Sequence, residues 1–358
     1  VTRSCHRLAP SIAAVGLLAA ALTIGSPGPV SGAPGRITIT QDVEYSHPGG
    51  VSLRLDAFVP GGEGPFPSLI ALHGGGWVLG DKTEWDNNCR SLALQGFACF
   101  SVDYRLAPDH PYPAAVQDAL AAVQWVRENA DEYHVDPTRL GAIGSSAGAH
   151  LAAMIGYMGK GSTDTGTRVR VIVLWSPVTD IPTLLPARTN ANESFTNVHD
   201  FMGCDLTKCT AREKEASPVT YVDPTDPPTM IANSTDEQIP LSQAKELSGV
   251  LKDANVPHEL HVVEGMNHGA RLKNQFPQDG GGQTVWDFSV AFLQKWLDTG
   301  SSRASPSPSP RPVPTGSFDA EPAAKSGDAT LFMIVAGVGV VIVLGLVGVP
   351  LLRRRRLR

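Results

Sequence analysis

Six continuous apolar runs, each five to seven residues long, recur through the middle of this sequence: SLIAL (68–72), FACFSV (97–102), RLGAIG (139–144), VRVIVLW (169–175), PTMIAN (228–233) and ELHVV (259–263). Runs of this length without a polar alternation suit strands covered on both faces. Between them lie amphipathic stretches with helical spacing. The clearest is Pro113–Ala130, which starts with a proline and is apolar at 115–116, 119–120, 123 and 126; 242–254 and 284–299 are others. Alternating strands and helices predict a mostly parallel central sheet with helices on both faces. Two earlier segments, ITITQDVEY (37–45) and VSLRLDAFV (51–59), alternate apolar and polar residues as half-buried antiparallel strands do, with His-Pro-Gly-Gly turning between them. The polar, irregular stretch 181–218 is expected to form a short insertion, a minimal cap over one end of the sheet.

The chain has 358 residues, of which 42% are hydrophobic, enough for one large domain or two ordinary ones with a substantial core. That content excludes a disordered chain. The formal net charge of −6 conceals an uneven distribution. Seven of the 29 basic residues sit at the two ends, and residues 33–330 carry 22 basic against 35 acidic groups, a net of −13. Such a body repels phosphate backbones, which argues against nucleic acid as a partner.

Both ends read as membrane-directed. Arg3 and Arg7 precede an apolar run from Leu8 to Ile24 and then small residues, the pattern of a secretory signal peptide over 1–33, with cleavage after Gly32 or Ala33. Residues 331–352 form an uncharged apolar run long enough to span ~30 Å of hydrocarbon. The arginine-rich tail 353–358 follows, which places that end in the cytoplasm and the body outside. The Ser/Pro/Ala-rich segment 301–330 is then a stalk, and 34–300 the folded domain. This ending is similar to the sorting signal of Gram-positive wall-anchored proteins, but PVPTG (312–316) lacks the leading residues of the sorting pentapeptide, so a retained membrane anchor is the expectation. Removal of Cys5 with the signal leaves four cysteines. Cys204 and Cys209 are expected to form a local disulfide, whereas Cys89 and Cys99 either pair or sit as buried thiols.

The chemistry is concentrated in three loops. GSSAG (144–148) fits Gly-x-Ser-x-Gly with Ser146 in the middle, preceded by a strand and followed by the helical AHLAAMIGYM. Small neighbours let the backbone turn sharply and lift the hydroxyl into the open. HGGGW (73–77) ends the strand SLIAL, and its glycines let backbone N–H groups approach a developing negative oxygen. A serine nucleophile needs a base and an orienting carboxylate. NSTDEQIP (233–240) and GMNHG (265–269) each follow a strand, giving the order Ser, acid, His. Asp236 is the expected orienting acid and His268 the base. Glu237 is the rival carboxylate, since either acid serves this role.

With HGGGWVLGDK (73–82), VDYRLAPDHPYPAAVQDALAAVQWVREN (102–129), GSSAGAHLA (144–152) and the 236 and 268 loops in place, the sequence resembles α/β-hydrolase fold carboxylesterases over roughly Val43 to Leu297. It is similar to the hormone-sensitive-lipase-like branch and to the acetyl-xylan/feruloyl-esterase-like (BD-FAE type) branch. The resemblance implies Ser146 as nucleophile, Asp236 and His268 as its partners, and Gly75, Gly76 and Ala147 as oxyanion-hole donors. Ser145 stands where the first branch has aspartate, and no long N-terminal helical cap is present, which favours the second branch. Trp77, Ser145, Trp175 and Met266 flank the reactive loops and are expected to line a substrate pocket. His73 is expected to brace its own loop, His150 to be structural, and Asp103 and Asp118 to be satisfied packing groups.

The expected activity is hydrolysis of short-to-medium acyl esters, small or polysaccharide-linked, through an acyl-enzyme, with no cofactor or metal. A serine peptidase, a lipase and a non-catalytic anchored binding module are the competing readings on the same fold. A peptidase finds no evident anchor for a peptide terminus here, and a lipase finds a polar cap.

Overall fold

The computed structural model describes Val1 and residues 36–184 and 193–297, all within one compact unit. The expected stalk, transmembrane segment and basic tail lie outside the described residues, as does the expected signal peptide apart from Val1. Among the described residues no helix is long and apolar enough to cross a membrane.

Eight strands form one sheet: β1 (Ile37–Ser46), β2 (Leu53–Pro60), β3 (Phe66–Leu72), β4 (Ala98–Val102), β5 (Val135–Ser145), β6 (Ile172–Trp175), β7 (Thr229–Ser234) and β8 (His258–Val263). Their spatial order is β1-β2-β4-β3-β5-β6-β7-β8. The first two expected alternating segments are the antiparallel pair at one edge, and β2 also runs antiparallel to β4. Every other pairing is parallel. The six continuous apolar runs therefore coincide with the buried parallel strands, as double coverage requires.

Alternate residues of each strand feed two separate cores. Leu69 and Ala71 of β3, Ile143 of β5 and Met230 of β7 meet α1 (Asp86–Leu94) and α8 (Val285–Leu297) on one face. Ile70, Leu72, Ala142 and Ile231 meet α2 (Ala114–Glu128), α3 (Ala147–Met158) and α7 (Leu241–Asp253) on the other. Each fully buried Leu, Ile or Phe contributes roughly 1.5–3 kcal/mol relative to exposure. A one-residue slip in any strand would exchange the two sets of side chains, so the register is tightly fixed.

Polar pins attach the loops to this frame. Lys82 is buried, with its ammonium 2.9 Å from Asp56 and 3.0 Å from Asp42, and its backbone N–H donates to Asp103 Oδ1 at 2.9 Å. Arg105 makes a forked pair with buried Asp118, so Asp103 and Asp118 are the packing groups the sequence suggested. The Cys89–Cys99 disulfide joins α1 to β4, which resolves the alternative left open above, and Cys204–Cys209 closes a short loop in the insertion.

The insertion is not the irregular segment expected. It contains α4 (Ile181–Leu184), α5 (Glu193–Met202) and α6 (Thr210–Glu215). Val198, Phe201 and Met202 of α5 are buried, a spacing of three and four residues that gives the helix an apolar inner face. Its two ends are stitched together: Ile181 N–H donates to Ser217 Oγ at 2.9 Å and Val219 N–H to the Thr179 carbonyl at 3.2 Å.

Candidate active site

Ser146 occupies the turn between β5 and α3 with φ 55° and ψ −121°. This conformation is disfavoured for a residue with a side chain, costing about 1–3 kcal/mol. The surroundings impose it. A Cβ on Gly148 would lie 2.1 Å from the Leu72 carbonyl oxygen, and one on Gly144 would lie 2.3 Å from the Gly148 oxygen. The strand and helix can approach this closely only with glycine at both positions. The Ser146 N–H donates to the Trp175 carbonyl at 2.8 Å, which fixes the turn from the neighbouring strand.

His268 follows β8, and its Nε2 lies 2.9 Å from Ser146 Oγ. Its Nδ1 is hydrogen-bonded to Glu237 Oε2. Asp236, expected in that position, is exposed; its carboxylate accepts instead from Thr235 Oγ1 at 2.8 Å. The reason lies in the bend after β7. The Asp236 N–H donates to the Gly265 carbonyl at 3.0 Å, which holds that residue on the rim with its side chain outward. The next residue turns inward, and its side chain, one methylene longer, reaches the imidazole. The Glu237 side chain is fully enclosed and doubly held, with Oε1 accepting from the Ser234 N–H at 2.7 Å and from Ser176 Oγ at 2.9 Å. Ser176 Oγ also accepts from the Gly269 N–H at 2.8 Å, so one hydroxyl positions both the acid and the loop carrying the base. The sequence reading passed over Ser176; its signal is its place directly after β6, where a strand delivers its next residue to the same edge as Ser146.

Gly74, Gly75 and Gly76 follow β3 and border the same cavity as Ser146, Ala147 and His268. Gly75 and Gly76 have φ of 99° and 60°, which glycine adopts freely. Among the described residues none accepts a hydrogen bond from the N–H groups of Gly75, Gly76 or Ala147. The loop rests on His73, whose ring stacks on Tyr104 at 4.2 Å and whose Nδ1–H donates to the Gly74 carbonyl at 2.8 Å. Burial lowers the His73 pKa to about 4. His73 thus braces its loop, as expected.

The cavity measures about 290 Å³. Val178, Leu184, Val198 and Ile239 give it apolar walls, while Asn197, Gln238 and Glu84 supply polar groups. The sequence reading missed these residues because the insertion and two distant loops bring them together. Of the four expected pocket residues, Trp77 and Ser145 border the cavity. Trp175 does not: it is fully buried beneath the sheet, stacked near Trp85 and donating its indole N–H to Ser289 Oγ at 3.1 Å. As the last residue of β6 it points to the face opposite the one expected. Met266 is also absent from the cavity, being 77% exposed on the outside of its loop. His150 is fully buried, with a pKa lowered to about 4 by burial, which fits a structural role. Among the described residues no cluster of His, Cys, Asp or Glu is arranged to hold a metal ion.

This arrangement places a hydroxyl, an imidazole and a carboxylate in line beside unpaired amides, the geometry of acyl transfer. The profile of the family described as BD-FAE matches residues 55–251, more than half of the chain. Carboxylesterase NlhH of Mycobacterium tuberculosis is 42% identical over 125 residues, covering 34% of this chain and 38% of that protein. Esterase LipQ of the same organism is 30% identical over 237 residues, 60% of this chain and 53% of that protein. The chain therefore spans between about a third and a half of the length of these curated relatives. Among solved structures, an acetyl ester-xyloside bifunctional hydrolase from Caldicellulosiruptor lactoaceticus superposes with a TM-score of 0.58 at 23% identity, over 74% of this chain and 96% of that one. At that identity the likeness speaks for the fold. Sheet order, nucleophile turn and profile match together establish that the chain has the α/β-hydrolase fold and belongs to the BD-FAE family.

Proposed function

We propose that this protein is a serine carboxylesterase acting on short acyl esters. The observation that carries the reading is the chain of contacts from Ser146 Oγ through His268 to Glu237 beside the Gly75, Gly76 and Ala147 amides. Glu237 fixes the imidazole tautomer with the proton on Nδ1, which leaves Nε2 free to take the Ser146 proton as Oγ attacks the ester carbonyl. The amides receive the charge that develops on the carbonyl oxygen, and each such donor is worth roughly 10²–10³ in rate. His268 then returns the proton to the departing alcohol and activates water to release the acid. A cavity of about 290 Å³ with short apolar walls favours small acyl groups over long chains. The named activities of NlhH and LipQ and of the xyloside-acting structural neighbour support an ester substrate, small or carbohydrate-borne.

We further infer that the catalytic domain acts outside the cell, anchored through residues 331–352. The apolar run and its arginine tail support this, as do two disulfides, which persist in oxidising surroundings. The test is hydrolysis of p-nitrophenyl esters from acetate to palmitate by the full chain and by Ser146→Ala. Turnover that is greatest on short chains and lost in the variant supports the reading; turnover that survives the variant, or is greatest on palmitate, overturns it.

A further inference from the structure

Trp77 follows directly on the three glycines of the loop, and its backbone lies in the left-handed region at φ 63°. An aromatic residue rarely adopts that conformation unless the surroundings impose it. Three contacts do so. Its carbonyl accepts from the Ala107 N–H at 2.9 Å. Its indole is stacked on Phe201 of α5, with ring centres 4.4 Å apart and planes 16° apart. Its indole N–H donates to Nδ1 of His150 at 3.2 Å.

His150 sits one turn into α3, the helix that begins directly after Ser146. Held neutral by burial, the ring carries one proton. Nε2–H donates to the Ala216 carbonyl at 2.8 Å, at the far end of the insertion, which leaves Nδ1 as the acceptor for Trp77. The imidazole thus joins three elements that the chain keeps far apart: the glycine loop, the nucleophile helix and the insertion. The turn that Trp77 continues is closed by the Val78 and Leu79 N–H groups donating to the Gly75 carbonyl at 3.1 and 3.2 Å. Relaxation of Trp77 toward negative φ disturbs the Val78 and Leu79 bonds to the Gly75 carbonyl, which shares its peptide plane with the Gly76 N–H.

We infer that His150 and Phe201 are positioning residues for the oxyanion hole, acting through Trp77 to hold the Gly75 and Gly76 amides toward the cavity. The inference rests on the esterase reading for its kinetic consequence but not for its geometry. An insertion that seats Phe201 and offers the Ala216 carbonyl is then part of the catalytic frame, beyond its role as a cavity wall.

The test compares His150→Leu, which removes both ring hydrogen bonds, with His150→Gln, whose amide offers one acceptor and one donor at similar spacing, and with Trp77→Phe. Rates are normalised to sites titrated by a p-nitrophenyl phosphate triester, so loss of folded protein does not count as loss of rate. His150→Leu and Trp77→Phe are expected to lower kcat by about 10²-fold, as for loss of an oxyanion donor, with KM within about twofold of the unaltered protein. His150→Gln is expected to recover most of that loss, and the double variant to be no worse than either single one. Unchanged kcat per titrated site, or strictly additive losses, would overturn the inference. A crystal structure of His150→Leu gives a readout independent of turnover: Trp77 is expected to leave the left-handed region, and a loop that stays in place refutes the role of His150 even if the protein hydrolyses nothing. Failure of the unaltered protein to turn over any ester, with the loop displaced in the variant, would count against the esterase reading alone.

Discussion

Glu237→Gln separates the two adjacent carboxylates decisively. The carboxylate accepts three hydrogen bonds, from His268 Nδ1, the Ser234 N–H and Ser176 Oγ. Glutamine keeps the shape and can keep the two bonds at Oε1. Its remaining group is then an NH₂, a donor facing a ring nitrogen that must also donate. The conflict is relieved only if the imidazole moves its proton to Nε2, where it faces Ser146 Oγ and can no longer accept a proton. Loss of the correct tautomer at intact geometry costs about 10⁴ in kcat, or about 5.5 kcal/mol at 1.36 kcal/mol per tenfold. Asp236→Asn removes only an exposed contact with Thr235 and is expected to stay within about threefold of the unaltered rate. The assay is kcat on p-nitrophenyl acetate, corrected for titrated sites, for both variants. A Glu237→Gln enzyme within tenfold of the unaltered one, or a collapse confined to Asp236→Asn, would refute the argument.

Two further outcomes follow from groups around the site. His73 and His150 are both held neutral by burial, their pKa values lowered from 6.5 to about 4, so the unfolded chain binds their protons first as pH falls. Their stabilising effect is complete above pH 6.5 and is lost toward pH 4, about 2 kcal/mol per histidine by pH 5; denaturant unfolding at pH 7 and pH 5 should show this, with His150→Gln losing about half as much, and an equal loss in both proteins would sink the account. Glu84 places a carboxylate on the cavity rim, with burial and nearby Asp81 raising its pKa. Glu84→Gln should lower kcat/KM for acetylcholine relative to the isosteric neutral neohexyl acetate by about fivefold, the effect of about 1 kcal/mol, the attraction of two unit charges about 4 Å apart across water; an unchanged ratio would show that the carboxylate does not sense the alcohol group.

The parallel strands were legible because burial on both faces writes itself into consecutive residues, as in SLIAL and VRVIVLW. Ser146 and His268 were legible because a sharp turn after a strand demands small neighbours, and those stand beside each residue in the chain. What local sequence does not record is which way a loop residue faces. Asp236 and Glu237 are neighbours of like chemistry, and which of them faces His268 follows from bonds to other loops: the Asp236 N–H to the Gly265 carbonyl, 29 residues downstream, and the Glu237 carboxylate to Ser234 and Ser176. Trp175 was misplaced for a related reason: at a strand's last residue the face is set by register against Ser145 and Ala232, not by nearness to the reactive loops. The helices of the insertion were missed because the described part of the inner face of α5 shows Val198, Phe201 and Met202, few apolar positions to stand out in a polar stretch. The Trp77–His150 contact joins residues 73 positions apart and leaves no periodic trace.

The stitched base of the insertion has a consequence for how such a chain can diversify. Because Ile181 and Val219 are tied to Ser217 and Thr179, the segment between them begins and ends at almost one point on the scaffold. Lengthening a segment whose ends already meet adds little closure cost, about 0.6 kcal/mol per doubling. Replacement of the segment between these ties by a longer or shorter piece is therefore expected to reshape the cavity while the sheet stays in place. The exchange has terms: any substitute must still present a flat ring to Trp77 and a carbonyl to His150. A graft that meets both would inherit the catalytic frame and change only what the cavity admits.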